Sequence, residues 1–500
     1  MHRSVAAWVA GLLVFVGGNV HAQDARTPVA SDAEASDAEA LGSEGADGSE
    51  GSGGLEGAGG EGMPGAAGTP VPDAALPQGP MADPTEDDLG ASYEEPPVED
   101  TFQYRVRLVA TGRLLGLSDG PQNPQNLFLR IPDRSGTVEG RPEFELNMGR
   151  WAFSFRPRFQ LNLAAWPDGV PGGDEIDNNE FILQWYARWS LTDSLFASFG
   201  KENLQWGPSQ FFSPSNPFFL ENFRADPITE GRGSYFARVT WVPDIRWTVS
   251  ALANLFEEEV TNPTRVFERQ YALKADYQGD RIQGSLIGAY GERSRMQLGG
   301  YGIWTASDAW LIYGEGKVAA RNAALYPVVD GASPFGASMA VLPKDDQANA
   351  TVLVGSSYTL QMNVTVTAEL LHNSSGYSSA QQDLYFALRR SASGALFSQG
   401  PEAGFAAQVL GQTASPGLRF TGRNYGVLQG RYGWGDDGEV LLRWSHGLDD
   451  NSGSIVGMTS FPLGDHVSAV ALGVYNYGST DSESASVLRY TGLAGLEYTF

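Results

Sequence analysis

The sequence predicts an all-β protein: an antiparallel transmembrane β-barrel of about 18 strands (16–18), preceded by a disordered acidic segment. Three observations lead to this prediction. Segments of about ten residues with alternating apolar and polar side chains recur from Thr101 to the end of the chain. The connections between them alternate between long and tight. The last segment, 488–500, alternates over its whole length and ends on Phe500.

Residues 1–22 have the composition of a secretory signal peptide. Arg3 supplies the positive charge, residues 5–16 form the apolar run, and Val20-His21-Ala22 is a small-x-small cleavage site. The run is too short for a transmembrane helix, which needs about 20 residues. We expect cleavage after Ala22.

Residues 23–100 have low complexity and carry most of the formal net charge of −26, because Arg26 is their single basic residue. Their apolar side chains are too few and too small to offset the entropy lost on ordering. We therefore expect a disordered acidic tail on the periplasmic side. It would act as a spacer or, alternatively, bind a basic partner or divalent cations.

The composition excludes several classes of function. The chain has no cysteine, which rules out disulfides, thiolate metal sites and a cysteine nucleophile. It has five histidines, of which His2 and His21 fall in the signal peptide, and it lacks a Gly-x-Ser-x-Gly elbow and a phosphate loop. We predict that the protein is not an enzyme and has no cofactor or metal site. The negative charge argues against nucleic acid as a partner.

Residues 101–500 are expected to form the barrel. Aromatic residues lie near segment ends on the apolar faces and charged residues lie mid-strand on the polar faces, which is typical of a water-filled lumen. In the fourth segment Phe181, Leu183 and Trp185 are expected to share the outer face. The predicted strands are 102–117, 141–149, 151–164, 180–190, 195–205, 233–242, 245–256, 266–277, 281–291, 296–306, 309–320, 348–358, 361–372, 418–432, 438–446, 454–461, 465–477 and 486–500.

The lengths of the connections give the strongest support for a barrel. An outer-membrane barrel has long loops outside and short turns in the periplasm. With an even number of strands, both termini are then periplasmic. Residues 373–417 have room for one further hairpin. The long connections are 118–140, 165–179, 206–232, 257–265, 321–347 and 373–417, and the tight turns include 149–150, 192–193, 243–244, 279–280, 307–308, 435–438 and 462–464.

The connection 206–232 contains four prolines and many aromatic residues. Exposing these rings to water would cost about 25 cal/mol per Å² of apolar area. We predict that the connection folds into the barrel and narrows the pore, as the third loop does in general porins; alternatively, it packs outside on neighbouring loops. Its aromatic rings could stack on sugars or form a small core of their own. The proposed constriction residues are Trp206, Phe211, Phe212, Phe218, Phe219, Glu221, Arg224 and Asp226.

The polar faces of the strands are rich in arginine, interleaved with acidic residues such as Glu315 and Glu439. A basic lining would favour anionic solutes or acidic glycans, because the guanidinium group matches carboxylates and phosphates. The alternative is a set of ion pairs that brace the barrel. The proposed pore-lining residues are Arg105, Arg107, Arg156, Arg158, Arg188, Arg246, Arg419, Arg423, Arg431, Arg443, Glu143 and Glu145.

The last segment resembles the C-terminal strand of bacterial outer-membrane β-barrels, in which a terminal phenylalanine is the assembly signal. The resemblance implies an outer-membrane location, contact with membrane lipid, and recognition by the barrel-assembly machinery. The signal residues would be Tyr490, Leu496, Tyr498 and Phe500. We expect the three before Phe500 to face lipid, and Arg489 and Glu497 to face the lumen.

Residues 200–218 resemble a stretch of the capsule-assembly outer-membrane barrels through Gly200-Lys201, Trp206-Gly207-Pro208 and Ser215-Asn216. The whole of 101–500 resembles the broader porin-like class. We therefore predict a porin-like channel for small polar or anionic solutes, including sugars. The alternative is a plugged barrel that binds or exports surface polysaccharide. A third class is a scaffold for envelope partners. The sequence leaves the solute and the oligomeric state open.

Overall fold

A computed structural model describes residues 100–167, 170, 176–218, 230–256, 268–322, 324–342, 348–398, 400–434 and 438–500. Eighteen strands form one closed antiparallel sheet in which each strand pairs with the next barrel strand along the chain. They are β1 (Thr101–Leu117), β2 (Arg134–Met148), β3 (Trp151–Ala165), β4 (Ile176–Thr192), β5 (Leu195–Glu202), β6 (Ser234–Asp244), β7 (Trp247–Asn254), β8 (Gln270–Gln278), β9 (Ile282–Gly291), β10 (Arg295–Ser307), β11 (Trp310–Ala319), β14 (Asn349–Thr359), β15 (Val364–Asn373), β16 (Asn424–Trp434), β17 (Gly438–Gly447), β18 (Gly453–Pro462), β19 (Val467–Tyr477) and β20 (Leu488–Thr499).

The last strand closes the barrel onto the first. Tyr498 lies opposite Leu108 and Leu496 lies opposite Ala110 in the β1–β20 pairing. The backbone N–H of Phe500 donates to the carbonyl of Val106 at 3.0 Å. The predicted barrel of 18 strands is therefore confirmed, together with its closing pair.

The alternation of side chains separates a lipid-facing surface from the lumen. Large apolar side chains such as Tyr104 (69% exposed), Leu442 (58%) and Tyr490 (54%) point outward. A soluble protein would not leave such a continuous apolar belt exposed, whereas the hydrocarbon of a bilayer covers it. No helix among the described residues is long and apolar enough to cross a membrane. The chain is a transmembrane β-barrel of the outer-membrane type.

A β-bulge corrects the predicted facing of β4. Arg156 lies opposite Gln184, but the next residue, Pro157, lies opposite Ile182, so Leu183 is an extra residue in the ladder. Proline has no N–H to donate, which explains why the ladder is interrupted there. Phe181 is consequently paired with Arg158 on the inner face. The prediction that Phe181 shares the outer face with Trp185 is wrong.

The long connections all lie at one end of the barrel, as predicted. Residues 118–133, 203–233, 320–348 and 374–423 join strands at one end. At the other end the turns are short, as at 149–150, where Gly149 has φ +53°. The predicted turn at 435–438 falls largely outside the described residues. β2 begins at Arg134, so the first long connection is shorter than the predicted 118–140.

The extracellular end carries regular structure that the sequence reading missed. A hairpin of β12 (Leu325–Val329) and β13 (Ala337–Val341) packs with α1 (Ser379–Ala395) and α2 (Pro401–Ala414). The segment 373–417, in which we considered a further hairpin, contains the two helices instead. Their starting signals are present in the sequence. Ser378 and Gln381 form a capping box before α1, and Pro401 occupies the first turn of α2.

This cap has its own apolar core, is built from two connections of the barrel and contacts two others. Leu388 and Leu410 are fully buried between its elements. Gln122 Nε2, from the β1–β2 connection, donates to the carbonyl of Leu410 at 2.9 Å. Arg390 of α1 pairs with Asp481 of the β19–β20 connection at 2.8 Å. The cap therefore fixes these loops relative to one another above the barrel wall.

Candidate functional site

The described parts of the connection between β5 and β6, residues 203–218 and 230–233, lie against the inner wall. The first of these parts packs beside its own strands. The ring of Trp206 meets Phe218 edge-on at 5.7 Å, and Phe218 meets Phe236 of β6 at 4.8 Å. Both phenylalanines are buried. The complete apolar cluster comprises Leu204, Phe218, Phe236, Leu252, Ala272 and Ala289, with Trp206 packed against it.

The next part of the connection is bound by Glu315 on the inner face of β11. The carboxylate accepts hydrogen bonds from the hydroxyls of Ser213 and Ser215, the latter at 2.6 Å, and from the backbone N–H of Ser215 at 3.1 Å. Gly207 has φ +82°, and a Cβ there would lie 2.4 Å from the Glu315 carboxylate oxygens. A glycine is therefore required at this close approach.

A second carboxylate, Glu369 of β15, holds Gln210. It accepts the backbone N–H of Gln210 and the hydroxyl of Tyr313, both at 2.6 Å. Arg443 of β17 donates to the carbonyl of Gln210 at 3.2 Å. Inward-facing side chains of β15 and β17 thus bind the backbone N–H and the backbone carbonyl of Gln210.

Aromatic packing joins this tip to the connection 374–423. The rings of Phe211 and Phe212 lie 5.3 Å and 5.2 Å from the ring of Phe420. Beneath them Tyr313 and Leu353 complete a buried cluster on the inner wall. Two extracellular connections therefore meet inside the barrel mouth.

The far end of the connection is held by charge. Glu230 binds Arg158 at 2.5 Å and Arg107 at 2.8 Å, and lies 3.8 Å from Arg141. Glu143 contacts Arg107 at 2.5 Å and Arg158 at 3.3 Å. Burial works against ionisation of Glu230, but the arginines outweigh it and hold the pKa of this carboxyl below its usual value.

These two anchors lie on opposite walls. Glu230 contacts side chains of β1, β2 and β3, whereas Glu315 belongs to β11. β2 and β11 are separated by half of the 18 strands of the barrel. The described parts of 203–233 therefore touch both sides of the lumen.

The structure brings most of the predicted pore-lining residues to the inner wall, where many are already ion-paired. Arg156 contacts Glu145 at 3.3 Å, and Arg431 contacts Glu439. Arg443 is buried against Gln429. Arg105 and Arg188 also occupy inward positions, opposite Glu143 and Ser198, and are exposed. Neither makes an ion pair with the described residues.

Three predicted pore-lining arginines are not on the barrel wall. Arg246 lies in the turn before β7, where its N–H donates to Asp244 Oδ1 at 2.7 Å. Arg419 and Arg423 precede β16; Arg423 Nε donates to the carbonyl of Gly376 at 2.9 Å. Their assignment to the lining is wrong because the predicted strands started at 245 and 418, whereas β7 begins at Trp247 and β16 begins at Asn424.

The predicted constriction residues divide into two groups. Trp206, Phe211, Phe212 and Phe218 have the positions described above. Phe219, Glu221, Arg224 and Asp226 lie outside the described residues. The residues that hold the connection are Glu230, Glu315, Glu369 and Arg443. Strand parity can place Glu315 and Glu369 in the lumen, but no signal in the sequence predicts their partners on the connection.

One part of the inner wall is apolar, contrary to the expectation of polar inner faces. It covers β1 and β17–β20, and its members are buried. They are Val109, Leu441, Val456, Met458, Leu472 and Leu493, with Val470 and Val474 packed against them.

No family model matches this chain, and no curated protein matches it. Among solved structures the chain is similar to OprD of Pseudomonas aeruginosa, at 11% identity, covering 79% of this chain and 95% of that one with a TM-score of 0.45. It is similar to OccK11 (OpdR) of Pseudomonas aeruginosa at 10% identity, with coverages of 80% and 96% and a TM-score of 0.47. It is also similar to a BenF-like porin of Pseudomonas fluorescens at 10% identity, with coverages of 80% and 98% and a TM-score of 0.45. The closed sheet of 18 strands itself defines the fold.

Proposed function

We propose that the protein is an outer-membrane channel of the porin type, through which small polar or anionic solutes, including sugars, diffuse. The observation that carries this proposal is that the described parts of the connection 203–233 touch opposite walls of the lumen, at Glu230 and at Ser215. A barrel of this size encloses an aqueous channel unless something fills it. The connection narrows that channel, with Trp206, Phe211, Phe212 and Phe218 as described members of the constriction.

The preference for anions depends on which arginines are available to a solute. Arg107, Arg156, Arg158 and Arg431 are matched by carboxylates, which supports the bracing interpretation for these residues. The exposed Arg105, together with Arg188, is then the group that attracts anions. A reversal potential measured across a salt gradient tests this. Wild-type protein should favour anions, and Arg105→Gln with Arg188→Gln should weaken the preference; cation preference in the wild type would refute it.

The alternative is a plugged barrel that retains or exports surface polysaccharide. The sequence resemblance on 200–218 suggested it. Reconstitution in planar bilayers separates the two functions. The channel conducts ions, whereas the plugged barrel is electrically silent and retains acidic polysaccharide on a glycan blot.

We further propose that Tyr490, Leu496, Tyr498 and Phe500 are the signal recognised by the barrel-assembly machinery. Phe500 is 68% exposed, and its ring packs on that of Tyr498 at 4.6 Å. Deleting Phe500 should reduce insertion in cells while leaving the conductance of the inserted molecules unchanged. Normal insertion of the deletion variant would contradict this role.

The acidic residues 23–99, expected on the periplasmic side, lie outside the described residues.

A further inference from the structure

The lipid-facing surface has a groove of about 740 Å³ over strands β5 to β10. This volume lies in the range of small-molecule sites, about 300–1,000 Å³. The groove has a floor of small side chains and a rim of large ones. The floor consists of Ala197, Ala237, Ala251, Ala253 and Gly288, and the rim includes Val239, Tyr271, Leu273, Tyr290 and Met296.

The floor and rim belong to the outer face of the sheet. Leu273 lies opposite Gly288, and Tyr271 lies opposite Tyr290, in the β8–β9 pairing. A Cβ built on Gly288 meets nothing within 4 Å. The space above the floor is therefore open between the large side chains of the rim. This part of the outer face contacts the hydrocarbon chains of the membrane.

The extracellular end of this groove carries three arginines and two glutamates, Glu268 and Glu292. Arg295 has φ +59°, and its Nη1 donates to the hydroxyl of Tyr290 on the rim at 3.3 Å. Arg269, directly before β8, contacts Glu292 at 3.6 Å, and its side chain remains 59% exposed. Arg293, in the connection between β9 and β10, is exposed as well, and its backbone N–H donates to Glu268 Oε2 at 2.8 Å. The groove thus runs from an apolar floor to three arginines at the level of the lipid headgroups.

We propose that this groove binds a phosphorylated, acylated lipid of the outer leaflet. An apolar groove cannot by itself distinguish one lipid from another, because all acyl chains are equally apolar. The arginines add that distinction, since a guanidinium group binds phosphate through charge-assisted, often bidentate hydrogen bonds. The acyl chain occupies the space above Gly288, and the phosphate contacts Arg269, Arg293 and Arg295. The site rests on the outward orientation of the long loops, and channel activity is not required for it.

Native mass spectrometry of the detergent-solubilised full chain tests the site. The probes are bisphosphorylated lipid A and its dephosphorylated form, offered in equal amounts. Wild-type protein should retain the phosphorylated lipid at least about tenfold more, because hydrogen bonds to charged groups are lost with the phosphates. Arg269→Gln combined with Arg295→Gln should remove this preference. Gly288→Phe should fill the groove and reduce retention of both lipids.

Two matched control variants test whether a loss of lipid binding is caused by general destabilisation of the barrel. Gly430→Phe adds the same ring above another open glycine, on β16, and Arg134→Gln removes an exposed arginine at the extracellular end of β2. Both should bind like the wild type. The heat-dependent shift in gel mobility of a folded barrel should be unchanged in all variants. Equal retention of the two lipids by the wild type, or unchanged binding by Gly288→Phe, would overturn the proposal. Dimers lost only in Gly288→Phe would instead assign the groove to a second copy of the chain.

Discussion

The two anchors of the connection 203–233 differ in chemistry. At Glu230 one carboxylate is shared by arginines of β1, β2 and β3, so the anchor is ionic. At Glu315 and Glu369 the carboxylates are also buried, but they bind hydroxyl and backbone N–H groups of the connection. One wall of the lumen therefore holds the segment by a cluster of ion pairs. The opposite wall holds it by carboxylates that accept neutral donors, with one further hydrogen bond from Arg443 to the carbonyl of Gln210.

This difference in chemistry predicts how strongly a mutation at each anchor should affect the connection. Removing one member of a buried charge cluster leaves the others uncompensated, which is strongly destabilising. Replacing Glu315 or Glu369 by glutamine removes the charge but keeps an oxygen that can still accept most of these hydrogen bonds. The ionic anchor should therefore determine whether the connection stays in the lumen, while the other anchor adjusts its position.

The largest effect is expected for Glu230→Gln. Three arginines, one of them the fully buried Arg158, would lose their shared carboxylate and keep only Glu139, Glu143 and Glu497. Because these partners remain, the cost should lie at the low end for breaking a buried ion pair, about 3 kcal/mol. The melting temperature of the barrel should fall, and single-channel current should become noisier as the connection moves. Glu145→Gln is the matched control, because that carboxylate is 47% exposed and its pair with Arg156 is worth less than about 1 kcal/mol. Equal changes in melting temperature and current noise in the two variants would contradict the role of Glu230 as the ionic anchor.

Acid should weaken the same anchor. The pKa of Glu230 is lowered in the folded protein, so its contribution is complete above the usual value of 4.5 and is lost as the pH falls through the lowered value. Current noise in the wild type should therefore increase only in strong acid. Glu230→Gln should be noisy at every pH. A wild-type transition above the usual pKa would indicate a different titrating group.

A smaller effect is expected for Glu369→Gln. The amide keeps an oxygen that can accept the N–H of Gln210, so the loss is about 1 kcal/mol. The conductance should change modestly, with little change in melting temperature. Thr367→Val on the same strand removes a hydroxyl contact with Ser357 that does not involve the connection, and should leave the conductance unchanged. A larger fall in melting temperature for Glu369→Gln than for Glu230→Gln would reverse the ranking of the two anchors.

The smallest effect concerns Glu483, a partly buried carboxylate in the connection between β19 and β20. It accepts the hydroxyl of Thr421 at 2.8 Å, and burial raises its pKa. The folded state then favours the protonated form, so its stability contribution is complete below 4.5 and declines as the pH rises through the raised value. Glu483→Gln should match the wild type in melting temperature at pH 4 and exceed it slightly at pH 8. A variant less stable at pH 8 would refute this reading.

The barrel could be predicted because its rules are local. Alternation of side chains and the sorting of loop lengths identify each strand without knowledge of its partners. The facing of Phe181 could not be predicted, because one bulged residue at Leu183 inverts it. The cap was missed although the capping box at Ser378 and Gln381 is readable, because α1 and α2 are stabilised by packing across connections distant in sequence.

The candidate site was predictable only in part. Its proline and aromatic content indicated that the connection enters the lumen, since water would solvate those rings poorly. The carboxylates that hold it lie far away in sequence: Glu369 binds Gln210, and Glu315 binds Ser215. Many lumen arginines proved to be members of ion pairs, which a count of charges on one strand cannot reveal.

Single-channel conductance with and without residues 206–225 tests the central claim most directly. The variant replaces them with a short Gly-Ser linker and keeps Glu230 with its arginines. If the connection narrows an open channel, the wild type conducts and the variant conducts severalfold more, while its barrel still shows the heat-dependent mobility shift. Equal conductance in both would contradict the constriction, and silence in both would contradict the channel.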